Sequence, residues 1–394
     1  MSIYYKISLT PLAPYFFGKD AISELGNKQN YFQTSAFLPP QTTLLGMLRH
    51  HLLLKKGWAF PQVEQSTKEE LENLIGEKGF DPSGSNNYGV IEKLSPVFIT
   101  HNNQGHYFLC NKLFVKGNEV VATKSKGKSF GSIEDAKSNL VLKLNKDNLT
   151  SKDIFDEYFM DYKEVNTRIK FNKVVTQVLQ TGNTKTAYRS EMNDDEAYYR
   201  FNYSSFINHT DIKNHPEEKR IYRKKQINSD TFMLNDTFKF AFYVQLKSDE
   251  LEDKFNNVII MGKEQSPFIM EIEKIPLKNG KQSIPVIFES LPVNSDHKRV
   301  WILSNLYTDD SSRLKTNTNF ICAESIPFKC FTKAINHSQR SKTWSFSKPN
   351  KTVEYSLYKQ GGIIYTDKIS ELTATVFDAA GEWKKIGYNY FKTI

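Results

Sequence analysis

The strictest pattern in this 394-residue chain is alternation. Ile3, Tyr5, Ile7 and Leu9 alternate with Tyr4, Lys6 and Ser8. Phe238, Phe240, Phe242, Val244 and Leu246 alternate in the same way with Lys239, Ala241, Tyr243 and Gln245. Successive side chains of a strand leave on opposite faces, so both runs predict half-buried strands. Val97-Phe98-Ile99 and Tyr107-Phe108-Leu109 flank a polar stretch, His101 to Gly105, and predict a hairpin. Val258 to Met261 and Phe268 to Ile272 predict a second hairpin, and Val300 to Leu303 another strand.

Beyond Pro39-Pro40 the period changes. Leu44, Leu48 and Leu52 recur every four residues, which predicts a helix. Thr42 or Thr43 reads as its cap, because a threonine oxygen accepts an orphan amide of the first turn. Gly46 reads as a point of close backbone approach. Arg49 projects from this helix with His50 and His51 beside it. A helix start with a nearby arginine can hold phosphate; an ordinary amphipathic helix with its leucines in the core is the plainer reading. Thr67-Lys-Glu-Glu70 is a capping box for a short helix expected to end at Gly79. Glu250 to Phe255 reads as one or two helical turns. Together these predict an α+β chain with more strands than helices.

Length allows two domains or one large one. With 39% hydrophobic and 25% charged residues, the chain reads as soluble and globular. No apolar run nears the ~20 residues of a membrane span, and no basic-then-apolar leader is seen at the start. Three cysteines (Cys110, Cys322, Cys330) are too few and scattered for a disulfide framework or zinc site. A cytoplasmic protein without a membrane partner is expected. The net charge of +9 and a pI near 9.0 make a polyanion a plausible partner.

The cations are concentrated. Residues 163–189 hold six (Lys163, Arg168, Lys170, Lys173, Lys185, Arg189) and one acid, Glu164. A basic strand passes here into a loop ending in Tyr188-Arg189, while 123–132 and 198–225 read as further basic loop or linker. Residues 329–351 hold six cations (Lys329, Lys333, Arg340, Lys342, Lys348, Lys351) and no acid, with Phe331, Trp344 and Phe346 among them. Cations meet phosphate and rings stack on unpaired bases. Gly361-Gly362 precedes a strand and allows close approach of backbone or phosphate.

The order of the first 56 residues resembles the RAMP superfamily of CRISPR effector proteins, and looks most like the third subunit of the type III-B (Cmr) complex. The carriers are the opening strand, Leu9-x-Pro11-x-x-Pro14-x-Phe16-Phe17, and Pro39-Pro40-x-x-Thr43-x-x-Gly46-x-x-Arg49. Ala13-Pro14 stands where the family has Asp-Pro, and Lys19 is the cation nearest the family's arginine. The basic stretch at 160–190, Gly262-Lys263-Glu264, and the late glycines at 361–362 and 387 are similar to family segments. The resemblance implies two ferredoxin-like (RRM-like) domains with hairpin and loop insertions, at 1–200 and 201–394. It also implies a non-catalytic subunit that binds the 5′ tag of crRNA. Its expected neighbours are the large polymerase-like subunit and an adjacent backbone RAMP subunit. The expected RNA-binding residues are Lys19, Arg49, Arg168, Lys170, Lys173, Tyr188, Arg189, Lys263, Arg340, Lys342, Trp344, Gly361 and Gly362. Arg168, Lys170, Tyr188, Arg189, Arg340 and Trp344 are expected to face one groove near Gly361-Gly362.

No catalytic pattern competes strongly. The eight histidines show no His-x-x-x-His spacing, and there is no P-loop or nucleophile elbow. Asp194-Asp195-Glu196 is a lone acidic run. No enzyme activity, metal or cofactor is expected. The alternative is a RAMP-type guide-processing endoribonuclease using His50 or His51 as general base.

Overall fold

The structure, a computed structural model, describes residues 2–13, 15–18, 35–58, 67–77, 79–111, 157–178, 231–234, 237–262, 266–278, 281–289, 297–309, 311–318, 320–332, 335–338, 343–346, 350–373 and 381–394. The basic loops expected at 123–132, 180–189 and 198–225 lie outside these residues, as does the acidic run at 194–196.

Both alternating runs form strands, at Ile3–Pro11 and Phe238–Leu246, and they pair with each other from Ile3↔Leu246 to Leu9↔Phe240. They lie at the centre of a nine-stranded sheet. Its order is 254–261, 266–274, 3–11, 238–246, 98–101, 104–111, 157–161 and 168–170, with 91–94 also on 238–246. A four-stranded sheet has the order 320–322, 363–365, 299–302, 391–393. All ladders in both sheets are antiparallel. The chain is a mixed α and β protein, consistent with the expected α+β class. The division expected at residue 200 falls inside the large sheet, whose strands on either side of it share ladders; the chain leaves that sheet only after Lys274 and enters the other at Arg299.

Alternation places the core. Tyr5, Ile7, Leu9, Phe240, Phe242 and Val244 pack with Leu44, Leu48 and Leu52 of the helix Gln41–Lys55. On the other face, Phe98, Phe108, Ala241 and Tyr243 meet Trp301, Ile363 and Tyr365 of the small sheet and Leu303 just beyond its strand 299–302. That sheet's outer face, with Val300, Ile302 and Ile364, is covered by Leu314, Ile369 and Leu372. The layers are therefore helix, sheet, sheet, helix. Each large apolar side chain so buried contributes about 1.5–3 kcal/mol. Trp301 locks the two sheets together, since its Nε1 donates to Leu109 O at 2.9 Å.

Several local expectations need correction. The first helix has Pro40 as its N-cap and no side-chain cap; the Pro40 carbonyl accepts from Thr43 N and Leu44 N at 2.9 and 3.1 Å. Gly46 is exposed with open space where a Cβ would sit, so no close approach occurs there. The Thr67 capping box forms, but its helix ends at Ile75 with Gly76 as cap rather than at Gly79. Residues 250–253 are irregular and Lys254–Met261 is a strand, where helical turns were expected. Phe255 and Ile259 pack at strand spacing against the core. The acids there meet partners from elsewhere: Glu250 lies 3.0 Å from Lys56, Glu252 3.1 Å from the His51 ring and Asp253 2.9 Å from Lys274.

Candidate nucleic-acid interface

Arg168 and Lys170 lie on Arg168–Lys170, the last strand at one end of the large sheet. Ile169 between them packs against the core, while both cations are exposed. Lys173, on the following turn Phe171–Val174, is exposed as well. Phe171 anchors that turn by stacking on Phe159, centroids 5.7 Å apart at 12°. Across the ladders Phe108 pairs with Met160 and Met160 with Arg168. Phe108 and Met160 are buried beneath the small sheet. Arg168 continues that row into solvent, so this cationic edge borders the seam between the sheets.

Gly361 and Gly362 lie at the same seam. Gly361 N donates to Ile302 O at 2.8 Å, Ile302 N to Gly362 O at 2.9 Å and Gly362 N to Lys359 O at 3.3 Å. Gly361 has φ +86°, and a Cβ there would stand 3.2 Å from Leu109 Cγ and 3.3 Å from its backbone. These buried glycines serve the close approach of two sheets, and their amides are engaged within the chain. Leu109 pairs with Phe159 and Phe159 with Ile169. Two strand spacings, about 10 Å, therefore separate Leu109 from the cationic edge.

The described residues of the acid-free window form antiparallel strand pairs that follow on from a ribbon rooted at 325–328 and 355–358. Ser325–Phe328 pairs with Tyr355–Tyr358, Phe331–Thr332 with Asn350–Lys351, and Ile335–Ser338 with Thr343–Phe346. From Phe328↔Tyr355 to Phe331↔Lys351 the returning strand uses one residue more than the outgoing one. Extra residues on one strand bend and twist a ribbon. At its base Phe328 and Tyr355 pack around Trp383, with centroids 5.2 and 5.7 Å away. Cys330 Sγ donates to Phe80 O at 3.2 Å. The returning strand leads through Lys359 directly into the Gly361-Gly362 turn. In register, His337 faces Trp344 and Ile335 faces Phe346. Lys329 pairs at 2.8 Å with Glu354, an acid just beyond the window.

The first helix presents Arg49 and its histidines differently from expectation. The Arg49 guanidinium lies 5.2 Å from the centre of the Tyr88 ring, and burial lowers its pKa to about 10. His51 is buried, with Nε2 3.1 Å from Glu252 Oε2 and its ring edge-on to Phe255. His50 is exposed. The helix start is covered: Gln41 is 4% exposed and packs under Ile386–Gly387.

Lys392 was not singled out by sequence. Its Nζ donates to Tyr162 O and lies 4.9 Å from the centre of the Tyr162 ring, and burial lowers its pKa. It sits near the end of the chain in an unremarkable Tyr-Phe-Lys run, and only the pairing of 391–393 with 299–302 carries it to the seam. Lys19, Tyr188, Arg189, Lys263, Arg340 and Lys342 lie outside the described residues. For Trp344 the backbone alone is described. Among the described residues, no group of three or more His, Cys, Asp or Glu is placed to hold a metal. No helix among them is long and apolar enough to cross a membrane.

The family described as CRISPR-associated protein (Cas_Cmr3) matches residues 7–393. Solved chains similar to this one include two from type III-B Cmr-beta structures. One, from the cryo-EM structure of the type III-B Cmr-beta bound to cognate target RNA, is 13% identical with a TM-score of 0.42, covering 98% of this chain and 96% of that chain. The other, from Cmr-beta bound to cognate target RNA and AMPPnP, state 1, is 11% identical with a TM-score of 0.40, covering 98% and 95%. No curated protein matches. By the near-complete family match, the chain belongs to the Cas_Cmr3 family, and the resemblance read from its first strand and helix is borne out.

Proposed function

We propose that this Cas_Cmr3 family member is a non-catalytic subunit of a type III-B CRISPR effector complex. In this reading it binds the 5′ tag of the crRNA, docks to the large polymerase-like signalling subunit and abuts a backbone RAMP subunit in antiviral defence. The observation that carries the RNA half is a convergence. The cationic edge at 168–170 and the root of the ribbon at 355–358, far apart in sequence, border one seam at Gly361 and Leu109. Phosphates held along such an edge would set register, while splayed tag bases stack on rings such as Trp344. Lys173, Tyr188, Arg189, Arg340 and Lys342 would add cations and a ring to the same path, and Lys19 and Lys263 would meet RNA outside it.

The strand orders support two ferredoxin-like halves. Numbered along the chain, 3–11, 98–101, 238–246 and 266–274 lie in the order 4-1-3-2, and so do 299–302, 320–322, 363–365 and 391–393. On this reading the halves divide between 275 and 298.

The guide-processing alternative draws less support, because His51 is committed to Glu252 and Phe255. The test compares guide RNA with and without its 5′ tag, at equal length, for binding to the purified chain. At least a tenfold preference for tagged RNA is expected. Equal affinities would defeat the tag reading, and a cleavage product from repeat RNA that disappears in His50→Ala would defeat the non-catalytic one.

A further inference from the structure

The two ends of the nine-stranded sheet are chemically opposite. One carries Arg168 and Lys170. The other is Lys254–Met261, which pairs with Ser266–Lys274 on one side; among the described residues no strand pairs with its outer side. From Phe255 to Met261 this edge has no charged residue. Val258 and Ile260 are 54% and 64% exposed, far more than apolar side chains usually are in a sheet.

They are not isolated. Val258 pairs with Ile269, and Ile269 with Thr10. Ile260 pairs with Pro267, whose carbonyl accepts from Leu12 N at 3.0 Å, and Leu12 is 51% exposed. Residues opposite one another in a ladder share a face. Leu12, Val258, Ile260, Pro267 and Ile269 therefore form one apolar patch, on the face away from the first helix and running to the free edge. Natural proteins blunt such edges with charge, proline or a covering element. Here charge and proline are missing from Phe255 to Met261.

We propose that this edge is a protein-docking site, which takes an extended, uncharged, apolar segment of a neighbouring subunit as a further antiparallel or parallel strand. Unpaired backbone groups would supply the hydrogen bonds and the patch would seat alternate side chains of the incoming segment. RNA is a poor occupant, because the edge from Phe255 to Met261 offers no cation to phosphate. A second copy is a poor one too. Five partly exposed side chains offer on the order of 300 Å², and a stable interface needs about 800 Å² per partner. A subunit already held elsewhere in an assembly needs no more than this. The inference rests on the reading of the chain as one subunit of an effector complex.

The experiment uses the full chain and two probes, the large polymerase-like subunit and the adjacent backbone subunit encoded with it, each purified. The variant is Val258→Asn with Ile260→Asn, neutral changes at exposed positions that leave charge untouched. We expect its affinity for one probe to fall at least tenfold, with an unchanged melting temperature and unchanged affinity for tagged RNA. In the wild-type complex with that probe, hydrogen exchange should slow at alternate amides of 255–261. The proposal is overturned by unchanged affinity for both probes. It is equally overturned by amides at 255–261 that exchange as fast in the complex as in the free chain. A concentration-dependent dimer of the isolated chain that the variant abolishes would assign the edge to a second copy and also overturn it. Loss of the preference for tagged RNA would defeat the tag reading alone and leave these readouts standing.

Discussion

The guanidinium of Arg49 lies over the ring of Tyr88, 5.2 Å from its centre, and this contact ties the first helix to the loop before the strand at 91–94. A desolvated cation on an aromatic face is worth about 2 kcal/mol. Tyr88 is itself 2% exposed and neighbours Phe80 and Cys330 at the root of the ribbon.

Arg49→Ala should therefore lower stability by about 1–3 kcal/mol, read from the urea midpoint at neutral pH. Arg49→Lys should restore part of it, because an ammonium is more strongly hydrated and lacks the planar stacking surface. A variant that keeps its urea midpoint but binds tagged RNA tenfold more weakly would return Arg49 to a phosphate-binding role.

Two glycine substitutions should act in opposite directions. Gly387 has φ +91°, and a Cβ there would meet Gln41 Oε1 and Ser95 O at 2.6 Å. Gly387→Ala should cost about 1–3 kcal/mol through backbone strain and displacement of the helix start. Gly46 lies in mid-helix with open space around it, so Gly46→Ala should stabilise by about 0.5–1 kcal/mol. Paired thermal melts decide both; equal melting temperatures for the two variants would refute the contrast.

His106 makes stability depend on pH. Burial, with Lys6 and Lys163 adding to it against Asp161, lowers its pKa from 6.5 to about 4. Its Nε2 lies 2.8 Å from the Tyr243 hydroxyl. The unfolded chain takes up a proton below pH 6.5 that the fold refuses until about pH 4. Stability is thus fully present above pH 6.5 and declines as pH falls towards 4, by at most about 3 kcal/mol. His106→Gln should flatten that decline in urea unfolding between pH 7 and 4. An unchanged slope would mean that His106 titrates alike in both states.

Much of this fold is legible in period-two and period-four patterns, because burial of one face is a local property. The strands at 3–11 and 238–246 and the core leucines 44, 48 and 52 follow from it directly. The failures arise where distant residues decide. Glu250 to Asp253 looks helical in isolation, but Lys56, His51 and Lys274 hold those acids in an irregular segment. Gly361 was legible as a point of close approach; that Leu109 is what approaches was not. Arg168 and Lys170 were legible as cations on a strand, since Ile169 between them is the buried partner. Their position at the end of a sheet depends on ladders spanning more than 200 residues, which no local pattern records.

That position leads to the remaining prediction. Arg168 and Lys170 are exposed on an edge strand, and Arg168 prolongs a row whose inner members are buried under the small sheet. Replacing both with glutamine removes charge without removing core, since Ile169 stays in place. Each phosphate of a single strand that the protein no longer neutralises should flatten the slope of log affinity against log salt by about 0.7, so the double variant should flatten it by about 1.4. Trp344→Ala should behave otherwise, with an affinity loss of ~1–3 kcal/mol at little change in slope, because stacking on a base releases no counterion. Titrations of tagged RNA at three salt concentrations separate the two. If the Arg168→Gln, Lys170→Gln variant keeps the wild-type slope, the cationic edge does not meet phosphate. RNA would then follow a path that leaves the seam beside Gly361 unused.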